Sequence, residues 1–184
     1  MDIEAVRAER ERIIARYGPW TAHNIRLAGD CYTISATDFV DEFKQRRILQ
    51  IVSDITNQPF AALRVLDLAC LEGAYAIEFA LHGATVVGIE GRESNIVKAR
   101  FAQQALGLDR LTLVQGDVRD LSRQEHGLFD VVLSIGILYH LDAPDVFTFV
   151  ERIAEVCTHV AIFDTHISTT GDMHVEYGGA TYAG

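Results

Sequence analysis

The sequence of 184 residues predicts an α/β fold with a doubly wound, mostly parallel sheet and an N-terminal helical extension. From Arg64 onward, short apolar runs alternate with amphipathic stretches of helical length, which is typical of parallel strands joined by crossover helices. Two of these runs end in a carboxylate, Asp67 and Glu90, and a turn of mostly small residues follows the first. That combination is typical of a βαβ unit whose turn lies against a nucleotide.

The individual elements follow from hydrophobic periodicity and from Gly and Pro breakers. Helices are predicted at 2–17, about 37–56, 73–82, 93–106 and 144–157. Strands are predicted at 64–69, 84–90, 111–116, 129–135 and about 159–165. The connector 18–36 is predicted to be irregular, and the tail 168–184 shows no further strand pattern. Since the last strand would then be an apolar edge, which proteins usually cover, the chain is expected to be part of a longer protein.

Charge and composition narrow the class of protein. Residues 1–62, the predicted extension, carry eight Lys/Arg and nine Asp/Glu, whereas residues 63–184, the predicted core domain, carry eight and seventeen. Such an acidic domain offers no basic face for phosphates, so a nucleic-acid partner is disfavoured. No apolar run is long enough to span a bilayer, and the three scattered cysteines suggest neither disulfides nor a zinc ribbon. A reducing cytoplasm is the expected location.

Residues 63–167 carry four motifs in order. They are Asp67-Leu-Ala-Cys-Leu-Glu-Gly73, Val86-Val-Gly-Ile-Glu90, Gly116-Asp-Val118 and Phe129-Asp-Val-Val-Leu-Ser-Ile-Gly136, the last continued by Ile-Leu-Tyr-His-Leu141. In this order and spacing the chain resembles the class I S-adenosylmethionine-dependent methyltransferase family, in the subgroup whose first motif reads D-L-x-C-L-E-G. The resemblance implies a Rossmann-like sheet of seven strands, of which this sequence supplies five, and S-adenosyl-L-methionine as the cofactor.

The first motif departs from the family pattern D-x-G-x-G-x-G at two of its three glycines. Ala69 still permits close approach to the backbone, whereas Leu71 must adopt a conformation that a Cβ tolerates. Gly73 then opens a helix whose first amides are expected to face the ligand. No G-x-G-x-x-G string is present, and Glu72 in the turn would repel a pyrophosphate but suit a sulfonium or an ammonium. These features favour S-adenosylmethionine over a nicotinamide dinucleotide.

The resemblance also assigns roles to residues at the strand ends. Glu90 is expected to accept hydrogen bonds from both ribose hydroxyls, Asp117 from the adenine amino group, and the Val118 amide to donate to a ring nitrogen. Cys70 is expected to be a small buried side chain without a nucleophilic role. The full set of predicted cofactor-binding residues is Asp67, Ala69, Cys70, Gly73, Glu90, Gly91, Asp117, Val118, Ser134, Ile135 and Gly136.

His140 follows the fourth predicted strand, where an acceptor substrate should lie. It is the candidate general base, with the alternative that it closes the pocket by packing. His166 and Asp164 share one face of the last strand and are interpreted as pocket-lining residues, so no metal site is predicted. A lid over the cofactor is hypothesised from the N-terminal region, formed by Trp20, His23, Tyr32, Arg46 and Arg47.

The sequence therefore predicts a methyltransferase that acts on a small-molecule or glycan-type acceptor. Two alternatives stay open, a non-catalytic S-adenosylmethionine-binding or partner module and an RNA-modifying methyltransferase. A nicotinamide-dependent oxidoreductase is a further, disfavoured class. No signature names the acceptor or the oligomeric state.

Overall fold

A computed structural model of the chain describes residues 1–37, 40–167 and 174–183. Its helices are α1 (Ile3–Tyr17), α2 (Val40–Thr56), α3 (Ala74–Leu81), α4 (Glu93–Leu106), α5 (Arg123–His126) and α6 (Asp145–Val156). Its strands are β1 (Arg26–Ala28), β2 (Cys31–Tyr32), β3 (Arg64–Leu68), β4 (Thr85–Glu90), β5 (Leu111–Gln115), β6 (Phe129–Ile135), β7 (Cys157–Asp164), β8 (His174–Tyr177) and β9 (Ala180–Ala183). Short 3-10 turns lie at Phe60–Ala62, Val118–Asp120 and Leu138–His140.

The central sheet has the strand order β5-β4-β3-β6-β7, and all of its pairs are parallel. The chain runs outward from β3 through β4 to β5, then crosses back to β6 on the other side of β3. The order therefore reverses between β3 and β6, and the loops after these two strands leave toward opposite faces. Such a reversal opens a crevice at the carboxyl ends of the strands. The predicted doubly wound Rossmann-like fold is confirmed.

Neighbouring residues of a strand point to opposite faces of the sheet, and helices pack on both faces. On β3, Val65 packs in a cluster with α1 to α4, whereas Leu66 and Leu68 pack in a second cluster with α6. Phe149 of α6 is almost completely buried in this second cluster. Burial of each such side chain contributes about 1.5–3 kcal/mol, which explains why β3 is apolar at Val65, Leu66 and Leu68.

The N-terminal segment packs on the outer surface of the sheet domain. Helix α1 and strand β1 lie against α4, and α2 lies against α3 and β7. The connector was predicted to be irregular, and this is wrong in part, because β1 and β2 pair as a small antiparallel hairpin. Strands of three and two residues are too short for an alternating pattern to be detected. Residues 38 and 39, predicted within the first turns of α2, lie outside the described residues, and the domain boundary at residue 62 stays a prediction.

The tail was predicted to contain no strand, and this is also wrong. Strands β8 and β9 form an antiparallel hairpin across Gly178 and Gly179, both of which have positive φ. Tyr177 stacks on Phe147 of α6 at a centroid distance of 4.5 Å and donates from its hydroxyl group to Glu151 at 2.8 Å. The remaining tail residues, 168–173 and 184, lie outside the described residues. Within the described sheet, β7 is the terminal strand, as predicted.

Other differences from the predicted bounds amount to a few residues. The last sheet strand was predicted to begin at about residue 159 and begins at Cys157. Helix α6 ends at Val156, one residue earlier than predicted, and the chain enters the sheet without a loop. None of the described helices is both long enough and apolar enough to cross a bilayer.

Replacement of the buried Phe149 tests the second cluster. We expect Phe149→Ala to lower the free energy of unfolding by about 3–5 kcal/mol, since the ring is lost and a cavity remains. The neighbouring Val150 is 40% exposed, so Val150→Ala should change the free energy of unfolding by less than about 0.5 kcal/mol. Urea denaturation of the two variants measures the difference. Equal losses would contradict the packing described for α6.

Candidate functional site

Two cavities lie at the carboxyl ends of the sheet strands, and Ala69 lines both. The larger is a cleft of about 770 Å³ over the ends of β4 and β5, which is within the size range of small-molecule sites. Its lining includes Glu90, Gly91, Gly116, Asp117, Val118 and His140. The smaller is a pocket of about 150 Å³ between β3 and β6, lined by Ala22, His23, Lys44, Asp67, Ala69, Cys70, Leu71, Tyr75 and Ile135.

The turn between β3 and α3 gives this junction its shape. Ala69, Leu71 and Gly73 have φ values of 54°, 49° and 88°, so three alternate residues are left-handed. For Ala69 and Leu71 this conformation costs on the order of 1–2 kcal/mol each. Leu71 was expected to adopt a conformation that a Cβ tolerates, and this is wrong, because its φ lies in the strained left-handed region. A side chain at Gly73 would lie 3.0 Å from the Cβ atom of Ala99, which explains why this third position keeps its glycine.

Asp67 at the end of β3 is buried and faces the small pocket. Its Oδ2 atom accepts a hydrogen bond of 3.0 Å from the Ala76 amide. The pKa of this carboxyl group is raised to about 7: burial raises it most, the hydrogen bond from the Ala76 amide lowers it, and the charge of Glu90 adds to the rise. Among the residues that the structure describes, no ion pair is formed by this carboxyl group, and a positively charged ligand group in the pocket would favour its ionised form.

Cys70 follows in the same turn and is buried beside Gly88. A Cβ atom at Gly88 would lie 3.0 Å from the Cys70 sulfur atom, so the glycine makes room for the thiol. Burial raises the pKa of Cys70 well above its usual value, and the nearby carboxylates add to this. The thiol stays protonated at neutral pH, in agreement with the expected role of a small buried side chain.

Glu90 at the end of β4 has both carboxylate oxygens in the loop network. Oε2 accepts from the Leu71 amide at 2.9 Å, and Oε1 accepts from the Arg92 amide at 2.8 Å and from the Asn95 side chain at 3.3 Å. The side chain also lines the large cleft. A carboxylate has about four lone-pair positions, so one remains for a hydroxyl group in the cleft. The carboxylate is therefore fixed in place by the turn that it borders.

Asp117 at the end of β5 is paired with a cation that the sequence analysis did not identify. Arg119 binds both oxygens of Asp117, the nearest at 2.6 Å, and also contacts Asp145 at 3.2 Å. The hydrogen bonds from Arg119 lower the pKa of Asp117. The sequence signal that could have identified this ion pair is an acidic residue and an arginine two positions apart at the end of a strand. Gly91 and Gly116 lie beside this pair on the cleft wall, and Val118 is buried under it.

The residues of the fourth motif do not all line one cavity. Ile135 lines the small pocket, and the Gly136 amide donates to the Asp164 carbonyl oxygen at 2.7 Å. Ser134 is buried on the opposite face of β6 and lines neither cavity, and within the described part of the chain its hydroxyl group has no hydrogen-bond partner.

His140 borders the large cleft and is exposed, next to Tyr139. The Tyr139 ring in turn stacks on His166 at 4.6 Å. In the part of the chain that the structure describes, no three His, Cys, Asp or Glu side chains are grouped to hold a metal ion.

Glu72 does not face the cavities, and the sequence expectation for it is wrong. Its side chain is almost completely buried on the other side of the turn, where Lys98 lies 3.2 Å away. The alternation of left-handed residues directs Leu71 and Glu72 to opposite sides. Glu72 therefore makes no direct contact in the cavities that would distinguish a sulfonium from a pyrophosphate.

The first turn of α3 was expected to face the ligand, and this is wrong as well. The Ala74 amide donates to Nδ1 of His23 at 3.1 Å, and the Ala76 amide donates to Asp67. These two amides are thus engaged by side chains and are not free to donate to a phosphate group. The sequence analysis placed His23 in a lid and missed Lys44 and Tyr75, because no local pattern marks residues that come from distant segments.

A test of the buried carboxyl group follows from its raised pKa. The folded chain keeps the Asp67 proton up to about pH 7, whereas the unfolded chain releases it near pH 3.8. The stabilisation from this group is full below the unfolded value and is lost as the pH rises through about 7. Asp67→Asn cannot ionise and still accepts from Ala76. We expect its free energy of unfolding, relative to that of the original chain, to rise by a few kcal/mol between about pH 4 and 8, measured by urea denaturation. Parallel pH curves would contradict the assignment.

Comparison with known proteins gives a consistent result. A family model described as a methyltransferase domain matches residues 65–159, about half of the chain. The ubiquinone biosynthesis O-methyltransferase of Maricaulis maris is 33% identical over 91 residues, which are 50% of this chain and 35% of that protein. The tRNA U34 carboxymethyltransferase of Actinobacillus succinogenes is 30% identical over 146 residues, 74% of this chain and 41% of that protein. The chain thus spans less than half the length of these curated relatives.

Solved structures agree with the fold. The crystal structure of the N-terminal domain of EvdMO1 in the presence of SAH and D-fucose superimposes with a TM-score of 0.75 and 25% identity, over 97% of this chain and 71% of that chain. The family match lies on the strands whose ends form the two cavities. From the sheet, the site and these matches, the chain belongs to the class I S-adenosylmethionine-dependent methyltransferase family.

Proposed function

We propose that the two joined cavities bind S-adenosyl-L-methionine and that the chain directs its methyl group to a small-molecule or glycan-type acceptor. The observation that carries this proposal is Glu90, a buried carboxylate fixed by two backbone amides at the edge of the large cleft. An acidic residue at the end of the second strand of a βαβ unit suits a ribose hydroxyl group, for which Glu90 keeps one acceptor position. The cleft has room for the nucleoside, and the small pocket shares Ala69 with it as a lining residue.

The residues of the small pocket fit the charged end of this cofactor. Burial raises the pKa of Asp67, so an ammonium group in the pocket would favour its ionised form. Lys44 from α2 also lines this pocket and supplies a positive charge for a carboxylate. The engaged amides of α3 argue against a pyrophosphate in the same place.

When bound, S-adenosylmethionine supplies an electrophilic methyl group on a positively charged sulfur atom. The protein's task is then to hold an acceptor in line and, for a hydroxyl acceptor, to remove its proton. His140 is exposed on the cleft wall beside Tyr139 and is the residue that we propose as general base. The alternative is that it closes the cleft without taking up a proton.

An RNA acceptor is the second candidate, and the match to a tRNA U34 carboxymethyltransferase favours it. The excess of nine acidic residues in 63–184 disfavours it, because a phosphate backbone needs a basic face. A non-catalytic cofactor-binding module is the remaining alternative, motivated by the replaced glycines at Ala69 and Leu71. For location, the three unpaired cysteines fit our proposal of a reducing cytoplasm.

Glu90→Ala tests the cofactor site. We expect the dissociation constant for S-adenosylhomocysteine to rise by roughly 10- to 100-fold, since a hydrogen bond to a charged group is worth about 1.5–3 kcal/mol. Isothermal calorimetry measures it, and Glu93→Ala, an exposed carboxylate at the start of α4, is the matched control. Unchanged affinity in Glu90→Ala would remove this residue from the site.

His140→Ala tests the base. With a tritiated methyl donor and a panel of phenols, free sugars and unmodified tRNA, we expect kcat on a hydroxyl acceptor to fall by roughly 100-fold or more while cofactor affinity is kept. His159→Ala is the control, because His159 lies near the start of β7, at the end of the sheet away from the cleft. If kcat is retained and cofactor dissociates faster instead, His140 only closes the cleft. Transfer to tRNA alone would favour the second candidate, and no transfer at all would favour the binding module.

A further inference from the structure

The buried side chain of Glu72 connects the cofactor turn to the N-terminal segment. Three consecutive backbone amides donate to its carboxylate, from Thr21 at 3.0 Å, from Ala22 at 3.2 Å and from His23 at 3.0 Å. The ammonium group of Lys98 donates to the same carboxylate at 3.2 Å, and both side chains are at least 96% buried. Four donors thus converge on one carboxylate.

Such an arrangement is costly unless it is complete. Removing a carboxylate and an ammonium group from water carries a penalty of several kcal/mol per ion, which their attraction offsets only when the remaining hydrogen bonds are made. Here they are made, because Lys98 also donates to the Pro19 carbonyl oxygen at 2.6 Å and lies over the Trp20 ring at 5.6 Å. A buried polar network of this kind adds little net stability and instead specifies one conformation.

The conformation that it specifies places His23 at the cofactor site. With its amide held by Glu72, His23 turns its ring to α3, where Nδ1 accepts from the Ala74 amide at 3.1 Å. A nitrogen that accepts from an N–H group carries no proton, so the ring is neutral and protonated at Nε2. The ring meets the edge of Tyr75 at 5.9 Å, and both side chains line the small pocket.

We propose that Glu72 is a positioning residue for the small pocket. It orders residues 21–23 so that His23 covers the start of α3 and completes the pocket wall opposite Asp67. The N-terminal segment is then part of the cofactor site, and the class of ligand that the completed pocket selects is a zwitterionic amino acid end instead of a phosphate. This proposal rests on the proposed function of the cavities.

Glu72→Gln is the informative substitution, because it keeps the shape of the side chain. The amide can accept through one oxygen only, and its NH2 group faces the N–H donors of residues 21–23 and the Lys98 ammonium. A second variant, Glu72→Gln with Lys98→Met, removes the unpaired ammonium group and restores stability without restoring the amide contacts. Phe149→Leu, in the other core cluster, serves as a control of matched melting temperature.

Two measurements test the proposal. In the protein without ligand, ¹⁵N spectra of the histidine rings should show His23 as a neutral Nε2–H ring between about pH 5 and 8, and tautomer exchange or titration in Glu72→Gln. In calorimetry, the dissociation constant for S-adenosylhomocysteine should rise by roughly tenfold or more in both Glu72 variants and by less than about twofold in Phe149→Leu.

The outcomes separate the two proposals. Wild-type affinity in a folded Glu72→Gln, or an affinity that follows melting temperature across all variants, would overturn the positioning role. A His23 ring that is protonated at Nδ1 or titrates normally in the original chain would also overturn it. If the original chain does not bind S-adenosylhomocysteine, the proposed function fails, and the imidazole spectra still decide whether Glu72 positions His23.

Discussion

The backbone of the turn from Ala69 to Gly73 is the constraint on which the site depends. Its alternate left-handed residues bring the chain from β3 into α3 within a few residues and leave a small side chain where the two cavities join. The same turn presents the Leu71 amide to Glu90 on one side and the Glu72 carboxylate to the N-terminal segment on the other. One local conformation therefore connects β4, the cavities and residues 21–23. The strain at Ala69 and Leu71 is sustained because packing and hydrogen bonds determine the turn from both sides.

The three strand-end carboxylates have the same position in the sheet and different chemistry. Asp67 is buried, which raises its pKa. Glu90 is held by backbone amides, and Asp117 is paired with Arg119, which lowers its pKa. Asp67 therefore changes its charge near neutral pH. A cationic ligand group would stabilise its ionised form, which couples cofactor binding to proton release in our proposal.

The N-terminal segment has a larger part in the site than an extension would suggest. Lys44 comes from α2 and His23 from the connector, and both line the small pocket beside Asp67. Lys44 also forms an ion pair with Asp164 at the end of β7. The N-terminal segment thus supplies side chains to the pocket and also contacts the end of β7. Variation in this segment would change the pocket without changing the sheet that carries it.

The sequence by itself determined the sheet, its parallel direction and the strand-end position of Asp67, Glu90 and Asp117, because hydrophobic periodicity and breakers are local signals. It did not determine the short hairpins, whose strands are too brief for a pattern. The tertiary structure alone decided which way each side chain points. Glu72 has the right residue type and position for the cofactor, yet the left-handed turn directs it away, and His23 reaches the site from 51 positions before Ala74 along the chain. Contacts between distant segments depend on how whole elements pack, and no local pattern of residues encodes that packing.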